Sequence, residues 1–295
     1  MPGGAYGAGC LGVGAGRDAR VYPVAVGEDA DRPGGEPSKT QLDKLGDRLR
    51  AGSRDQADLR ALDQYRRSFR KAFELLLEYF SRPDSPDECT GRPAKTTTAI
   101  VEKLNRQRIR LTQIQDIAGF RVVVGNVLEQ NRAVAALRLA FPNTSVEDRR
   151  LKPSHGYRAV HVIISINQRS VEVQVRTHEQ HLWAELSEKL SDVVDSALKY
   201  GGGPVSTRET LLAYSRLVAE IEALEVAQFS SGTSLAEKES RFVDQMPNDP
   251  DWQVTAEILN QLRATQIEAE DATRGAKKLL AGLLTDYYND LRQKP

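Results

Sequence analysis

The sequence predicts an α/β (α+β) fold: a mixed β-sheet core flanked by helices at both ends. Three observations carry this. Runs rich in β-branched residues at 119–124, 157–166 and 171–176 alternate with stretches of helical periodicity. Apolar residues recur every three or four positions over long spans on either side of that core. Pro- and Gly-bearing breaks at 81–86 and 201–204 separate the three regions.

Taken in order, residues 1–38 hold 10 of the 22 glycines and four of the 13 prolines. A segment of that composition buries too little apolar surface to offset its ordering entropy, and disorder is expected. Residues 39–90 read as N-terminal helices. Leu42, Leu45 and Leu49 form a first stripe, and Leu62, Tyr65, Phe69, Phe73, Leu76 and Phe80 a second, stronger one.

The core is expected over 91–200. Thr96 to Gln107 reads as a helix with Ile100, Val101 and Leu104 on its apolar side, and a short helix follows from Leu111 to Ile117. A strand comes next at 119–124, then a helix over 128–140. The alternating segments 157–166 and 171–176 are separated by Asn167-Gln168-Arg169-Ser170, which has the length and polarity of a hairpin loop. A helix beginning near His178 carries Leu182, Leu186, Leu190, Val193 and Ala197. From 201 to 295 the pattern is helical throughout. Its stripes are Leu211, Tyr214, Val218 and Ile221, then Val254, Ile258 and Leu262, then Leu280, Leu284, Tyr287 and Leu291, with Pro247 and Pro250 between the two long helices. The last stripe suits packing onto the core better than pairing with a partner helix.

Charge and cysteine content narrow the function. Lys plus Arg and Asp plus Glu both total 41, so any attraction for phosphates comes from local patches rather than from the overall field. Cys10 and Cys89 have no Cys or His partner at metal spacing and read as incidental thiols. No run approaches the roughly 18 apolar residues of a spanning helix, and no basic segment precedes an apolar one at the start. A cytoplasmic protein without a membrane partner is the expectation.

Candidate chemistry begins at 171–176, Val-Glu-Val-Gln-Val-Arg. In a strand the three valines face one way and Glu172, Gln174 and Arg176 the other. Such a polar face is either a solvated sheet surface or a site. Tyr157 and His161 join that face if 157–164 pairs with 171–176, although a lone strand histidine is more often a satisfied core residue. Lys95, Ala99, Lys103 and Arg106 follow one helical face just after Arg92, alone a solvated charge face and beside carboxylates a phosphate clamp. Asp116 stands at a helix-to-strand junction, in isolation an ordinary turn residue.

In series these elements resemble a known family. Gly91-Arg92…Lys95-x3-Ala99-Ile100-x2-Lys103, Gln115-Asp116-Ile117-Ala118-Gly119-Phe120-Arg121-Val122, Gly156-Tyr157-Arg158-Ala159-Val160-His161 and Glu172-Val173-Gln174-Val175-Arg176-Thr177-x3-His181-x2-Ala184-Glu185 are similar in order and spacing to the RelA/SpoT-type alarmone synthetase domain, with its nucleotidyltransferase-like core.

The resemblance implies transfer of the β,γ-pyrophosphate of ATP to the 3′-hydroxyl of GDP or GTP, giving (p)ppGpp. It implies Mg²⁺ on Asp116 and Glu172, the two catalytic carboxylates. Arg92, Lys95, Lys103, Arg121 and Arg176 are implied for ATP and its phosphates, and Tyr157 and His161 for the acceptor, with Tyr157 stacking on its base. His155 stands where Asn is common in the family, and Ala99 where Ser is common. Long bifunctional relatives carry a hydrolase with a His-Asp pair. No His-Asp dipeptide occurs here, so a short synthetase without hydrolase activity is expected.

Three alternatives remain open. A toxic branch of the short synthetases pyrophosphorylates the 3′ end of tRNA, which Arg106, Arg108, Arg110, Arg149, Arg150 and Lys152 would favour. An adenosine nucleotide as acceptor is a third choice. A non-catalytic nucleotide-binding module, or an antitoxin partner, comes from a different class. The C-terminal helices could also mediate homo-oligomerisation or neutralise activity in cis, with packing onto the core the favoured reading.

Overall fold

The computed structural model describes residues 37–53, 55–83, 88–245 and 252–292. The Gly-rich stretch 1–38 lies almost wholly outside the described residues, as do Cys10, Pro86, Pro247 and Pro250. The chain divides into two compact units. The first runs to Val124 and adds Asn131–Asp148 and Val160–Arg176; the second comprises Gly125–Gln130, Arg149–Ala159 and the chain from Thr177 onward.

The first unit is a mixed five-stranded sheet with flanking helices. Its helices are α1 (Lys39–Arg50), α2 (Gln56–Arg67), α3 (Arg70–Phe80), α4 (Thr97–Gln107) and most of α5 (Val127–Ala140). The strands β1 (Glu88–Arg92), β2 (Ala118–Val124), β3 (Thr144–Asp148), β4 (Val160–Ile166) and β5 (Arg169–Thr177) lie in the order β1-β2-β5-β4-β3. Alternation in β5 sends Val171, Val173 and Val175 into the core at 0% exposure, alongside Phe120 and Val122 of β2 and Val160, Val162 and Ile164 of β4. Burying each such side chain contributes about 1.5–3 kcal/mol. The other side of the sheet is left for polar groups.

Local chemistry explains the element ends. Ser38 and Gln41 form a capping box on α1, and the Thr96 hydroxyl accepts from the Ala99 N–H at the start of α4. The β4–β5 hairpin closes through only Asn167 and Gln168, with φ of 48° and 62°, because Ile166 already pairs with Arg169. Positive φ at both central residues matches the right-handed twist of the flanking strands.

Several sequence expectations are corrected. The stripe from Leu62 to Phe80 spans two helices, broken where the Ser68 hydroxyl donates to the Tyr65 carbonyl at 2.7 Å, while Phe69 stays buried at the joint. The predicted helix at 111–117 shrinks to a 3-10 turn at Leu111–Gln113. Strand β4 starts at Val160 rather than 157. The edge strands β1 and β3 escaped notice because they are mostly exposed and show no alternation of apolar residues. Cys89 sits in β1. Gly91 of β1 faces Phe120, and a Cβ there would come within 2.8 Å of that ring and 2.9 Å of Phe73. These two rings stack at 4.6 Å.

The second unit packs α6 (His178–Val193), α7 (Val205–Gln245) and α8 (Trp252–Arg292) around Trp183, Leu186, Leu190, Leu211, Val218, Leu280 and Leu284. Thr177 and Gln180 make the capping box of α6. The expected α6 stripe is rotated: Trp183 and Ala184 are buried, Val193 is exposed, and Ala197 lies past the helix end. Leu280 and Leu284 pack as expected, whereas Val254, Ile258 and Leu262 lie exposed on α8. No helix among the described residues is long and apolar enough to cross a membrane.

Candidate active site

The face of the sheet opposite the valines carries a continuous polar row. His161 of β4 lies directly across from Gln174 of β5, so its ring reaches diagonally to Glu172, with Nδ1 2.9 Å from Oε1. Gln174 Nε2 donates to Glu172 Oε2 at 2.8 Å, and Arg176 Nη2 donates to Gln174 Oε1 at 2.8 Å. One side of a two-stranded ladder thus aligns His161, Glu172, Gln174 and Arg176. Arg121 projects from β2 on this same side, since Phe120 and Val122 take the core positions. Strands β2 and β5 run close enough that a Cβ on Gly119 would come within 3.0 Å of the Glu172 carbonyl oxygen.

Just ahead of β2, Asp116 is clamped between two lysines. Lys95 Nζ donates to Oδ2 at 2.6 Å and Lys103 Nζ to Oδ1 at 2.9 Å. Helix α4 brings this about: its cap at Thr96 fixes Lys95 beside the helix start, and Lys103 follows on the helix itself. The Lys95 N–H also donates to the Ile117 carbonyl at 2.7 Å, tying this junction to the entry of β2. Arg92, at the end of β1, donates to the Asp116 carbonyl oxygen at 3.2 Å. Asp116, Lys95 and Lys103 are each only 14–17% exposed.

The electrostatics follow from this packing. Burial pushes the Asp116 carboxyl up, but the charges and hydrogen bonds of Lys103 and Lys95 overcome it and hold the group at about 2. Glu172 is likewise held below its ordinary range: burial opposes ionisation, and the hydrogen bond and charge of His161 with the Gln174 amide outweigh both burial and repulsion from Asp116. Burial, with Lys103 and Arg92 nearby, lowers Lys95 against the pull of Asp116. Two ionised carboxylates that feel one another, with a fringe of cations, are therefore the state at neutral pH.

Eight of the nine predicted site residues lie in the first unit: Arg92, Lys95, Lys103, Asp116, Arg121, His161, Glu172 and Arg176. The structure engages His161 with Glu172. The ninth, Tyr157, belongs to the second unit, in a turn over Ser154–Tyr157 closed by the Tyr157 N–H donating to the Ser154 carbonyl at 3.0 Å. Within that turn His155 has φ 54° and Gly156 φ 90°. Histidine shares with asparagine a tolerance of the left-handed region, which accounts for His at this position. Gln174, absent from the predicted set, bridges Glu172 to Arg176; strand alternation had placed it on the right face, without revealing the bridge.

Among the described residues no group of three His, Cys, Asp or Glu side chains is placed to hold a metal. Asp116 and Glu172 nevertheless suit a hard cation. Both are ionised, and each of their four oxygens, engaged by a lysine, a histidine or an amide, keeps a second lone pair. Mg²⁺ usually takes one or two carboxylates and completes its shell with substrate phosphates and water. A separate cavity of about 620 Å³ in the second unit, lined by residues including Asn126, Glu225, Gln228, Phe229 and Lys277, contains none of the predicted site residues.

Residues 91–191 match the family described as a region found in RelA / SpoT proteins. The uncharacterized protein Rv1366 of Mycobacterium tuberculosis is 32% identical over 172 residues, 57% of this chain and 58% of that protein. The chain thus spans little more than half the length of that relative. The probable chloroplastic GTP diphosphokinase RSH3 of Oryza sativa subsp. japonica is 33% identical over 95 residues, 31% of this chain and 13% of that protein. Among solved structures, the small alarmone synthetase 1 of Bacillus subtilis aligns at 23% identity over 61% of this chain and 99% of its own, with a TM-score of 0.46.

Proposed function

We propose that this chain, whose residues 91–191 match the family described as a region found in RelA / SpoT proteins, moves the β,γ-pyrophosphate of ATP onto the ribose 3′-hydroxyl of GDP or GTP. The product is a (p)ppGpp alarmone. The observation that carries this reading is the Lys95–Asp116–Lys103 clamp beside an ionised Glu172. Phosphoryl-type transfer depends on positioning and charge neutralisation more than on covalent chemistry by the protein. A cation fringe next to two carboxylates supplies both.

In the transfer the 3′-oxygen attacks the β-phosphorus, a new O–P bond forms, the bond between the β-phosphorus and the bridging α-oxygen breaks, and AMP departs. Lys95, Lys103, Arg92, Arg121 and Arg176 hold the polyphosphate. Glu172 accepts the hydrogen bond of the attacking hydroxyl and orients it. A carboxylate held below its usual range is a weak base, so orientation outweighs proton abstraction until the O–P bond is forming. His161 keeps Glu172 in place through the 2.9 Å contact, in addition to the acceptor role the resemblance gives it. Mg²⁺ on Asp116 and Glu172 would neutralise charge on the phosphates. Tyr157 stacks on the acceptor base.

The test is ATP labelled on its β-phosphate, offered with GDP, GTP, ATP or bulk tRNA. Label on GDP or GTP with release of AMP is the expected outcome; label only on tRNA assigns the translation-blocking branch, and no transfer defeats the enzyme reading. Of the six basic residues that would favour tRNA, Arg106, Arg108, Arg110 and Lys152 are exposed. Arg150, one of the basic residues ahead of Tyr157, donates to Gln130 at 3.0 Å and is half-buried rather than offered to a phosphate backbone.

A further inference from the structure

The turn bearing Tyr157 is built from conformations that do not hold themselves. His155 and Gly156 both have positive φ, and the backbone bond from the Tyr157 N–H to the Ser154 carbonyl closes the turn itself. The geometry points to helix α7, outside the family match at 91–191, as the mount that fixes this turn, with Ser215 and Glu222 as positioning residues for acceptor recognition. This rests on the reading of Tyr157 as the acceptor-binding aromatic.

The grip is applied on both sides of Tyr157. Ahead of it, the Ser215 hydroxyl donates to the Gly156 carbonyl at 2.7 Å. Gly156 is packed so closely that a Cβ would come within 2.9 Å of Trp183 and 3.2 Å of Ser215. After it, Arg158 makes a fork to Glu222, Nε to Oε1 at 3.0 Å and Nη2 to Oε2 at 2.5 Å. Gln180 of α6 donates a further bond to Glu222 Oε1 at 2.8 Å, and it also serves the α6 cap. Tyr157 itself leans toward Trp183, ring centroids 6.5 Å apart, and the Trp183 indole N–H donates to the Leu211 carbonyl of α7 at 2.7 Å.

Leu211, Ser215, Val218 and Glu222 fall at i, i+4, i+7 and i+11, so they form one face of α7. A helix that merely packed would be apolar all along that face, because a buried serine or carboxylate costs stability unless it is satisfied. Here Leu211 and Val218 supply the packing. Both polar positions are directed at residues 156–158, where Arg158 and Glu222 are only 12% and 10% exposed. A stacking ring gives affinity in proportion to how little ordering remains when the base arrives. Mounting the turn on a 41-residue helix removes that ordering in advance.

Three variants of the full chain test this: Ser215→Ala, Glu222→Gln and, as a control on an exposed position of the same helix, Glu220→Gln. Amide hydrogen exchange is read at 154–158 and in the β4–β5 hairpin, and KM is measured for ATP and for the acceptor. Loss of one hydrogen bond to a buried group is expected to speed exchange at 154–158 by about tenfold in Ser215→Ala and to raise acceptor KM by a similar factor. The ATP KM and hairpin exchange stay at wild-type values, and the control changes nothing. Should Glu222→Gln unfold the unit by stranding Arg158, Ser215→Ala alone decides. Unaltered exchange at 154–158, or ATP and acceptor KM rising together, overturns the inference. If the wild-type protein transfers to no acceptor, the functional reading fails, while the exchange arm still settles whether α7 holds the turn.

Discussion

Replacing Asp116 by Asn removes the anion from between two ammonium groups while keeping size and shape. The stabilisation at stake can be worked from the carboxyl's displacement, from an ordinary 3.8 to about 2. At 1.36 kcal/mol per unit this corresponds to about 2 kcal/mol of folding stability. The Asn amide accepts from one lysine only and turns an NH₂ toward the other, so Lys95 and Lys103 then repel across the gap. The total, about 2–3 kcal/mol, lowers Tm by about 5–10 °C in a protein of this size.

Because the folded pKa is depressed, Asp116 contributes its full stabilisation above 3.8, and the contribution is lost as pH falls through about 2. Wild-type and variant melting temperatures should therefore differ at neutral pH and converge in strong acid. Lys95, already lowered by burial, drops further in the variant, so alkaline pH recovers part of the deficit. Transfer of label from ATP should fall by at least about 10²-fold, as when one preorganised charge-stabilising group is lost. Thermal melts across pH and single-turnover transfer are the assays. An Asp116→Asn protein that melts with the wild type at neutral pH and transfers at an undiminished rate would refute both the clamp and its role.

Other perturbations separate the parts. Glu172→Gln keeps a group able to accept from His161 and should melt within a few degrees of wild type while kcat drops about 10²–10³-fold; a retained kcat removes Glu172 from the chemistry. Tyr157→Ala should weaken the acceptor by roughly 1–3 kcal/mol, seen as a rise in acceptor KM alone; an unaltered acceptor KM denies the stacking role. Gly91→Ala drives a methyl against the stacked Phe73 and Phe120 rings, and denaturant titration should show a loss of about 1–3 kcal/mol. A midpoint equal to wild type would mean the rings yield freely.

How much of this the sequence disclosed depended on whether a pattern was local. Strand β5 was legible because three valines alternate with three polar residues, and the structure buries the one set and aligns the other. Strands β1 and β3 were not, since edge strands exposed along most of their length carry no apolar alternation. The break at Ser68 was hidden because the apolar stripe runs through it unbroken. In the site, the face shared by Glu172, Gln174 and Arg176 followed from period two; His161 joined it only on the assumption of the hairpin, and Tyr157, expected with it, lies outside the strand. The clamp did not follow: Lys95 and Lys103 lie 21 and 13 residues from Asp116, and only tertiary folding joins them. There the family motifs named all three residues without giving the contact. Ser215 and Glu222 had no signal, because a buried polar residue on a helix looks in sequence like a solvated one.

The two-residue turn at Asn167–Gln168 sets a counting rule for the chain. Pairing is in register from Ile166 and Arg169 onward, so Glu172 reaches the polar face by being an odd number of residues beyond Arg169. One residue inserted between them would swap every side chain downstream in β5 to the opposite face, putting the carboxylate among the core valines and a valine beside His161. The segment can therefore drift freely in residue type at its solvent-facing positions, yet it has almost no freedom in length. Insertions and deletions, harmless in most surface turns, would here erase the site and unsettle the core in a single step.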